Sequence, residues 1–525
     1  MNPTYYYRLA CVSIALVSTL ATVSAQPKGE TISAREPVIQ GLDTLTGDKE
    51  LPAGPYAPTW ESIAKNYRTP EWFRDAKFGV FIHWGLYSVP GRQSEWYPRH
   101  MYGTDSMIAW HRDTYGPQDQ FGYKDFIPLF TCEKFDADAW ATLFKKAGIR
   151  YVMPTAEHHD GFALWDSALT KWNARAMGPH RDLIGELAVA TRKQGLKFGV
   201  SNHRIEHFDF IQPKAGLATD LNDPRWADFY SVADRSEPAR LRFLNDWLAR
   251  NFELIDKYQP DLIYYDNGVN ARTYDPLKLR VAAYYFNRAN QWGKQVSFAT
   301  KSQAFLAGSI LDFERGHASD IRSDAWQTDN TIHHRWGYLE ITLYRNAGQI
   351  VRELVDNVSK NGNLLLNIAP KADGTIPAEQ VAILLDIGAW LDVNGEAIYG
   401  TRPWTRFGEG PSRLENKGNL DEEARIHREA VGDLWLPAYT AKDIRFTKKG
   451  DTLYAILMHW TSREIVITSL ATGVAPAGKI EKVELLGYGK TLKFSQDSEG
   501  LKIELPATPP CDHAYAFKIT GLKLN

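Results

Sequence analysis

Between residues 70 and 400, short apolar runs alternate with longer stretches whose apolar positions recur every three or four residues. The runs at 78–83, 151–155, 197–201, 262–266, 295–299, 309–313 and 364–368 read as strands, with an irregular eighth near 326–332. Amphipathic segments such as 239–258, 276–290 and 378–391 lie between them. A strand covered on both faces is continuously apolar, and a parallel neighbour can be reached only through a crossover, usually a helix. Repetition of that unit predicts an α/β chain whose main domain is a (β/α)8-like TIM barrel over 56–404. An open doubly wound sheet fits less well, because no glycine-rich turn follows the first strand to hold a phosphate. Beyond about Trp404 the texture changes. Runs at 444–447, 452–459, 464–468, 482–485, 501–505 and 514–519 are short, alternating and bounded by turns. They predict a C-terminal antiparallel β-sandwich over 405–525, entered through a polar linker at about 409–429.

The N-terminus has its own pattern. Arg8, an apolar stretch over 9–23 and Val23-Ser24-Ala25 make a signal peptide over 1–25, with cleavage expected near Ala25 and a Pro/Gly/Thr-rich leader over 26–55. The chain is therefore expected to be exported, periplasmic or secreted. No run of about 18 apolar residues follows, so no membrane span is expected in the mature chain. With 61 basic and 63 acidic residues the net charge is −2, which argues against a nucleic-acid partner. Of three cysteines, Cys11 lies in the signal peptide; Cys132 and Cys511 are expected to be buried free thiols, with a single disulfide between them as the alternative. The 17 Trp, 25 Tyr and 23 Phe are an excess of ring faces that needs a use.

Chemistry collects where the apolar runs end. His83 follows the first run; His158, His159 and Asp160 the second; His203 the third; Asp266 the fourth; Glu314 the sixth. In a barrel those ends converge on one rim, where active sites lie. Eleven of the 14 His fall between 83 and 334, which concentrates them in the barrel. Asp266 closes a buried run, where a carboxylate is costly unless paired or used. Two carboxylates on one rim are what glycoside hydrolysis requires. Adjacent strand residues such as His158 and His159 should point to opposite faces, and HxH and HExxH are absent, so neither a metal nor a cofactor is expected. GxSxG and P-loop motifs are absent too. Trp84, Trp96, Tyr97, Trp165 and Trp336 are expected around these groups, as ring faces for a sugar.

Those residues resemble a known family. Trp72-Phe-Arg-Asp-Ala-Lys-Phe-Gly-Val-Phe-Ile-His-Trp-Gly, Glu95-Trp-Tyr, His158-His-Asp-Gly-Phe, Pro260-Asp-Leu-Ile-Tyr-Tyr-Asp, Trp336-Gly-Tyr, Gly362-Asn-Leu-Leu-Leu-Asn-Ile-Ala-Pro and Asn394-Gly-Glu-Ala-Ile-Tyr-Gly-Thr-Arg-Pro-Trp occur in the order seen in the α-L-fucosidases of glycoside hydrolase family 29. The resemblance spans about 60–405. It implies a barrel followed by a β-sandwich and hydrolysis with retention. Asp266 would be the nucleophile, and His83, Glu95, Trp96, His158, His159 and Trp336 the sugar pocket, with His203 a further contact. Glu314 is expected as general acid/base from its spacing and strand-end position, with Asp312, Asp320, Asp324 and Glu340 as alternatives. The expected partner is an oligo- or polysaccharide ending in α-L-fucose or a related L-sugar. An exo-α-L-galactosidase acting on algal polysaccharide and an inactive sugar-binding barrel are the competing readings. One departure stands out: Glu157 occupies a position where the family commonly has Lys, which places the site's local charge in question.

Overall fold

A computed structural model describes residues 39–413, 439–461 and 463–524. The expected signal peptide, its cleavage point, Cys11 and most of the expected linker lie outside the described residues. Eight parallel strands close a barrel in chain order: β1 (Phe78–Ile82), β2 (Tyr151–Glu157), β3 (Lys197–Asn202), β4 (Leu262–Tyr265), β5 (Ser297–Lys301), β6 (Ser309–Asp312), β7 (Trp326–Thr331) and β8 (Gly362–Ile368). β1 closes the ring against β8, with Phe78 opposite Leu364 and Ile82 opposite Ile368. The (β/α)8-like reading is what forms.

Alternation along each strand builds two cores. From β1, Phe81 packs inside the barrel with Tyr151, Met153, Tyr264, Ile310 and Leu365. Phe78, Val80 and Ile82 pack outward into the layer shared with the helices. Gly79 pairs with Tyr151 across β1 and β2, and a Cβ there would sit 2.3 Å from the Tyr151 ring. The missing side chain admits the ring. Helices between the strands start at side-chain caps: Asp136 accepts from the Ala139 N–H ahead of Ala137–Lys146, and Asn346 with Gln349 forms a capping box ahead of Ala347–Ser359.

Two local departures from the sequence reading matter. β5 runs two residues later than expected, because 292–296 is spent turning out of helix Asp275–Gln291. Residues 39–55 are not a loose leader where they are described. The Gly47 N–H donates to Asn245 Oδ1 at 2.8 Å, and Asn287 Nδ2 donates to the carbonyls of Pro52 and Tyr56, so the segment lies along helices Glu237–Tyr258 and Asp275–Gln291.

The C-terminal region is antiparallel. One sheet has the order β13 (Gly478–Leu485), β16 (Tyr515–Leu522), β11 (Thr452–Leu457), β10 (Ile444–Lys449), β9 (Arg402–Glu409); the other has β12 (Glu464–Ile467), β15 (Leu501–Glu504), β14 (Phe494–Gln496). β9 and β14 have no counterpart among the expected strands. A separate apolar core, including Trp404, Phe446, Leu457, Ile503 and Phe517, fills the region. Cys132 and Cys511 are both free; Cys132 is buried, but Cys511 is only half-buried, with Asn394 Nδ2 donating to its Sγ at 3.4 Å. No described helix is long and apolar enough to cross a membrane.

Candidate active site

The strand ends do converge. A cavity of about 270 Å³ opens at the C-terminal end of the barrel, lined by His83, Glu95, Trp96, His158, His159, His203, Asp266, Glu314 and Trp336, all expected from the sequence. Phe81, Glu206, Tyr264, Asn267, Lys301 and Asp329 complete the wall. The alternatives Asp320, Asp324 and Glu340 are exposed and outside it. Asp312 is buried beneath, its Oδ2 accepting from Gln327 Nε2 at 2.7 Å.

Lys301 joins the two expected carboxylates. Its Nζ donates to Asp266 Oδ1 at 2.6 Å and to Glu314 Oε2 at 2.8 Å. Laid end to end those bonds span 5.4 Å, so the two carboxylate oxygens are no farther apart than that. Burial opposes the Asp266 charge, but Lys301 first and His203 next outweigh it and hold the carboxyl well below its ordinary range. Burial likewise opposes the ammonium, yet Asp266, Glu314 and Asp329 hold Lys301 charged.

The other face of Asp266 meets histidines. Ser201 Oγ bonds His203 Nε2, and His203 Nδ1 lies 3.3 Å from Asp266 Oδ2. A carboxylate only accepts, so the ring proton belongs on Nδ1 and the serine hydroxyl donates to Nε2. Burial lowers His203 to about 4, which keeps it neutral. His159 Nδ1 lies 3.1 Å from the His203 carbonyl, an acceptor, which places a proton on Nδ1. Its Nε2 then sits between Asp266 Oδ2 at 3.7 Å and Glu206 Oε2 at 3.6 Å.

Groups that line the cavity are oriented from behind. Asn367 Nδ2 donates to the Trp336 carbonyl at 2.7 Å, so its Oδ1 accepts from His83 Nδ1 at 2.7 Å, and His83 Nε2 is left as an acceptor. Burial first, then His203, keeps His83 well below the usual imidazole range and neutral. Glu95 Oε2 accepts from the Gly337 N–H at 2.9 Å and from Ser94 Oγ, leaving Oε1 as its second acceptor oxygen. Left-handed backbone at non-glycine residues gathers beside these groups: Gln93 and Ser94 before Glu95, Ser302 and Gln303 after Lys301, Arg315 after Glu314. Strain of that kind persists only where surrounding structure enforces it, and it clusters at functional sites.

Several expectations are corrected. Of five aromatic residues expected at the site, Trp96 and Trp336 line it, while the others do structural work. Trp84 packs against Phe130, Phe135 and Trp140; Trp165 Nε1 donates to Glu253; Tyr97 bonds His111. His158 and His159 do not face apart. β2 ends at Glu157, so strand alternation no longer governs them, and their ring centroids lie 4.2 Å apart. That brings ring nitrogens of His83, His158 and His203 within 4.8 Å of one another, and likewise atoms of His159, His203 and Asp266. His83 Nδ1 is held by Asn367, His203 Nε2 by Ser201 and Asp266 by the Lys301 ammonium, while His158 Nδ1 is buried without a hydrogen-bond partner. Asp160 turns away to Tyr123 Oη, the phenol donating at 2.8 Å. Glu157 also faces away, fully buried against Arg204 at 2.6 Å and Arg250 at 3.2 Å.

Lys301 and Glu206 were missed. With β5 expected to end at Ala299, Lys301 fell in a loop; the signal was Ser297-Phe-Ala-Thr-Lys, an equally good five-residue strand with a cation at its end. Glu206 lies on the single turn Arg204–Glu206 beyond β3, and no local pattern points at the cavity.

An alpha-L-fucosidase model matches residues 45–396, and an alpha-L-fucosidase C-terminal domain model matches 438–520. The chain belongs to the alpha-L-fucosidase family. It is a glycoside hydrolase by that membership. It is 32% identical to the tissue alpha-L-fucosidase of Bos taurus over 493 residues, covering 89% of this chain and 92% of that protein. It is 32% identical to the human plasma alpha-L-fucosidase over 497 residues, 89% and 93% of the two chains. A crystal structure of Thermotoga maritima alpha-fucosidase in complex with fucose superposes with a TM-score of 0.68 at 32% identity, covering 88% of this chain and 99% of that one.

Proposed function

We propose that the protein is an exo-acting α-L-fucosidase that releases terminal α-L-fucose with retention, through a covalent glycosyl-enzyme on Asp266 and with Glu314 as general acid/base. The single observation that carries this is the Asp266–Lys301–Glu314 bridge. Retaining glycosidases hold their carboxyl groups about 5–5.5 Å apart, inverting ones about 6.5–9.5 Å. The bound of 5.4 Å on this oxygen pair lies below the inverting separation and supports the retaining reading. Asp266 has the ionised state a nucleophile needs.

In the first step an Asp266 oxygen attacks the anomeric carbon, the glycosidic C–O bond breaks, and Glu314 gives its proton to the leaving oxygen. In the second, water attacks the same carbon from the opposite face, Glu314 takes its proton, and the ester bond returns its electrons to Asp266. His83 Nε2 and Glu95 Oε1 supply hydroxyl acceptors, and Phe81, Trp96, Tyr264 and Trp336 supply an apolar wall for a deoxy-sugar methyl. A cavity of about 270 Å³ lies at the small end for ligand sites, which suits one terminal sugar. The similar Thermotoga maritima protein binds fucose in its crystal structure.

The test is paired kinetics of Asp266→Gly and Glu314→Ala on an aryl α-L-fucoside, with and without azide. Asp266→Gly should lose roughly 10⁴-fold in kcat or more, and azide should restore turnover as β-fucosyl azide. Glu314→Ala should lose roughly 10²–10⁴-fold on a natural oligosaccharide, with α-fucosyl azide formed from the aryl substrate. Near-normal turnover of the oligosaccharide by Glu314→Ala removes Glu314 from the role. Aryl α-L-galactoside assayed alongside decides the sugar, since an apolar pocket discriminates poorly against one added hydroxyl.

A further inference from the structure

We propose that Lys301 is the charge that makes Glu314 a base in the second half of the reaction, by passing from a position shared between two carboxylates to one facing Glu314. The proposal rests on the retaining reading above. Lys301 is the last residue of β5, 6% exposed, with Nζ within hydrogen-bond reach of both carboxylates. Left-handed backbone at Ser302 and Gln303 turns the chain away directly after it. Tyr264 and Trp336 close over the ammonium, each ring centroid 5.9 Å from Nζ. The cation is thus kept within reach of both carboxylates while charge around it changes.

In the free enzyme Asp266 and Glu314 share the ammonium, and the Asp266 anion favours a proton on Glu314. Attack on the sugar turns the Asp266 carboxylate into a neutral ester. Of the two carboxylates hydrogen-bonded to Lys301, Glu314 then remains the anionic one, so an ionised Glu314 is favoured just as water must give up a proton. Hydrolysis of the ester returns the anion to Asp266, and the shared arrangement is restored. An opposite charge within about 4–6 Å moves a carboxyl by about one to three pH units. His159 and Glu206 also face this centre, His159 Nε2 lying 3.7 Å from Asp266 Oδ2 and 3.6 Å from Glu206 Oε2. His83 and His203 are neutral, and Glu206 acts from beyond His159. Arg315 lies over Trp336 at 5.1 Å. Asp329, held by the Tyr264 hydroxyl at 3.0 Å with Asp312 beyond it, attracts Lys301 from below.

The experiment compares wild type, Lys301→Gln and Lys301→Arg on an aryl α-L-fucoside whose leaving group needs no proton, so that kcat reports the second step. Lys301→Gln should move the acid limb of kcat to higher pH by about one unit or more, show a burst of about one aryl group per site, and regain kcat with azide, which needs no base. Lys301→Arg should keep the acid limb within about half a unit. Equal losses in kcat and kcat/KM for Lys301→Gln, with no burst and an unmoved acid limb, would overturn the proposal and leave Lys301 a structural cation. If Lys301→Gln gives no cooperative thermal transition, Lys301→Arg decides: a full-unit displacement despite retained charge rejects the idea, and an unmoved limb supports it. Failure of azide to rescue Asp266→Gly would reject the retaining reading instead, on a different variant and product.

Discussion

Ser201 and His203 set what Asp266 meets on its histidine side. Ser201 is wholly buried, so its hydroxyl has one task, donating to His203 Nε2 and turning the Nδ1–H toward Asp266. Ser201→Ala removes that lock and lets the ring present a bare nitrogen to a carboxylate. A lost hydrogen bond of about 1–1.5 kcal/mol corresponds to roughly a tenfold fall in rate, so kcat on an aryl fucoside should drop about tenfold with KM little changed. Because His203 titrates near 4, it should add no break to the kcat profile between pH 5 and 8. A break there that disappears in His203→Gln would show that the imidazole carries charge after all.

At the scale of the element, the end of β2 shows how one side chain's direction decides its meaning. Glu157 leaves the strand on the outer side, where Arg204, Arg250 and Asp246 complete a network, Asp246 pairing with both arginines at 2.7 and 2.8 Å. The lysine that the family resemblance implied here would set a third cation against two. Leaving buried charge unpaired costs about 3–5 kcal/mol, so Glu157→Lys should lower the denaturant midpoint or prevent folding. Glu157→Gln should keep the packing and lose less. Fucose affinity of folded Glu157→Gln should stay at the wild-type value, because Glu157 does not line the cavity; isothermal titration checks that directly.

Across the whole molecule, the barrel and the C-terminal sheets are joined by buried charge. Asp356, on helix Ala347–Ser359, takes Arg445 of β10 at 2.6 Å on one oxygen and Lys360 at 2.6 Å on the other, all three side chains fully buried. Trp390 Nε1 also donates to the Ala514 carbonyl at 2.7 Å. Burial resists the Asp356 charge, but Lys360 and Arg445 prevail and hold its carboxyl below the ordinary range. A depressed carboxyl contributes stability above its unfolded pKa of about 3.9 and loses it as pH falls through the folded value. Urea midpoints should therefore fall from pH 5 to pH 3. Arg445→Met should cost about 3–5 kcal/mol at pH 7 and show a smaller further loss on acidification. An unchanged midpoint at pH 7 would mean that the two regions are held together without this triad.

Much of this was legible in the chain, and the reason is local. Continuous apolar runs reported strands covered on both faces, and the barrel follows because few architectures cover them so. Residues directly after those runs, His83, His203 and Asp266, reach the rim because a strand's end is a fixed place in a barrel. Trp84, Trp165 and Tyr97 were placed wrongly because a ring's direction depends on packing that no period encodes. The His158–His159 pair was misjudged because alternation applies only while the strand lasts, and β2 stops one residue before it. Lys301 needed the strand register, since a shift of two residues takes a side chain from loop to cavity wall. The sequence by itself determined the alternation, the strand ends and the place of Asp266 at one of them, which follow from burial and chain order. Only the tertiary structure decided which carboxylate lies beside Asp266, because that distance is set across strands β4, β5 and β6, by a lysine lying 35 residues from one partner and 13 from the other.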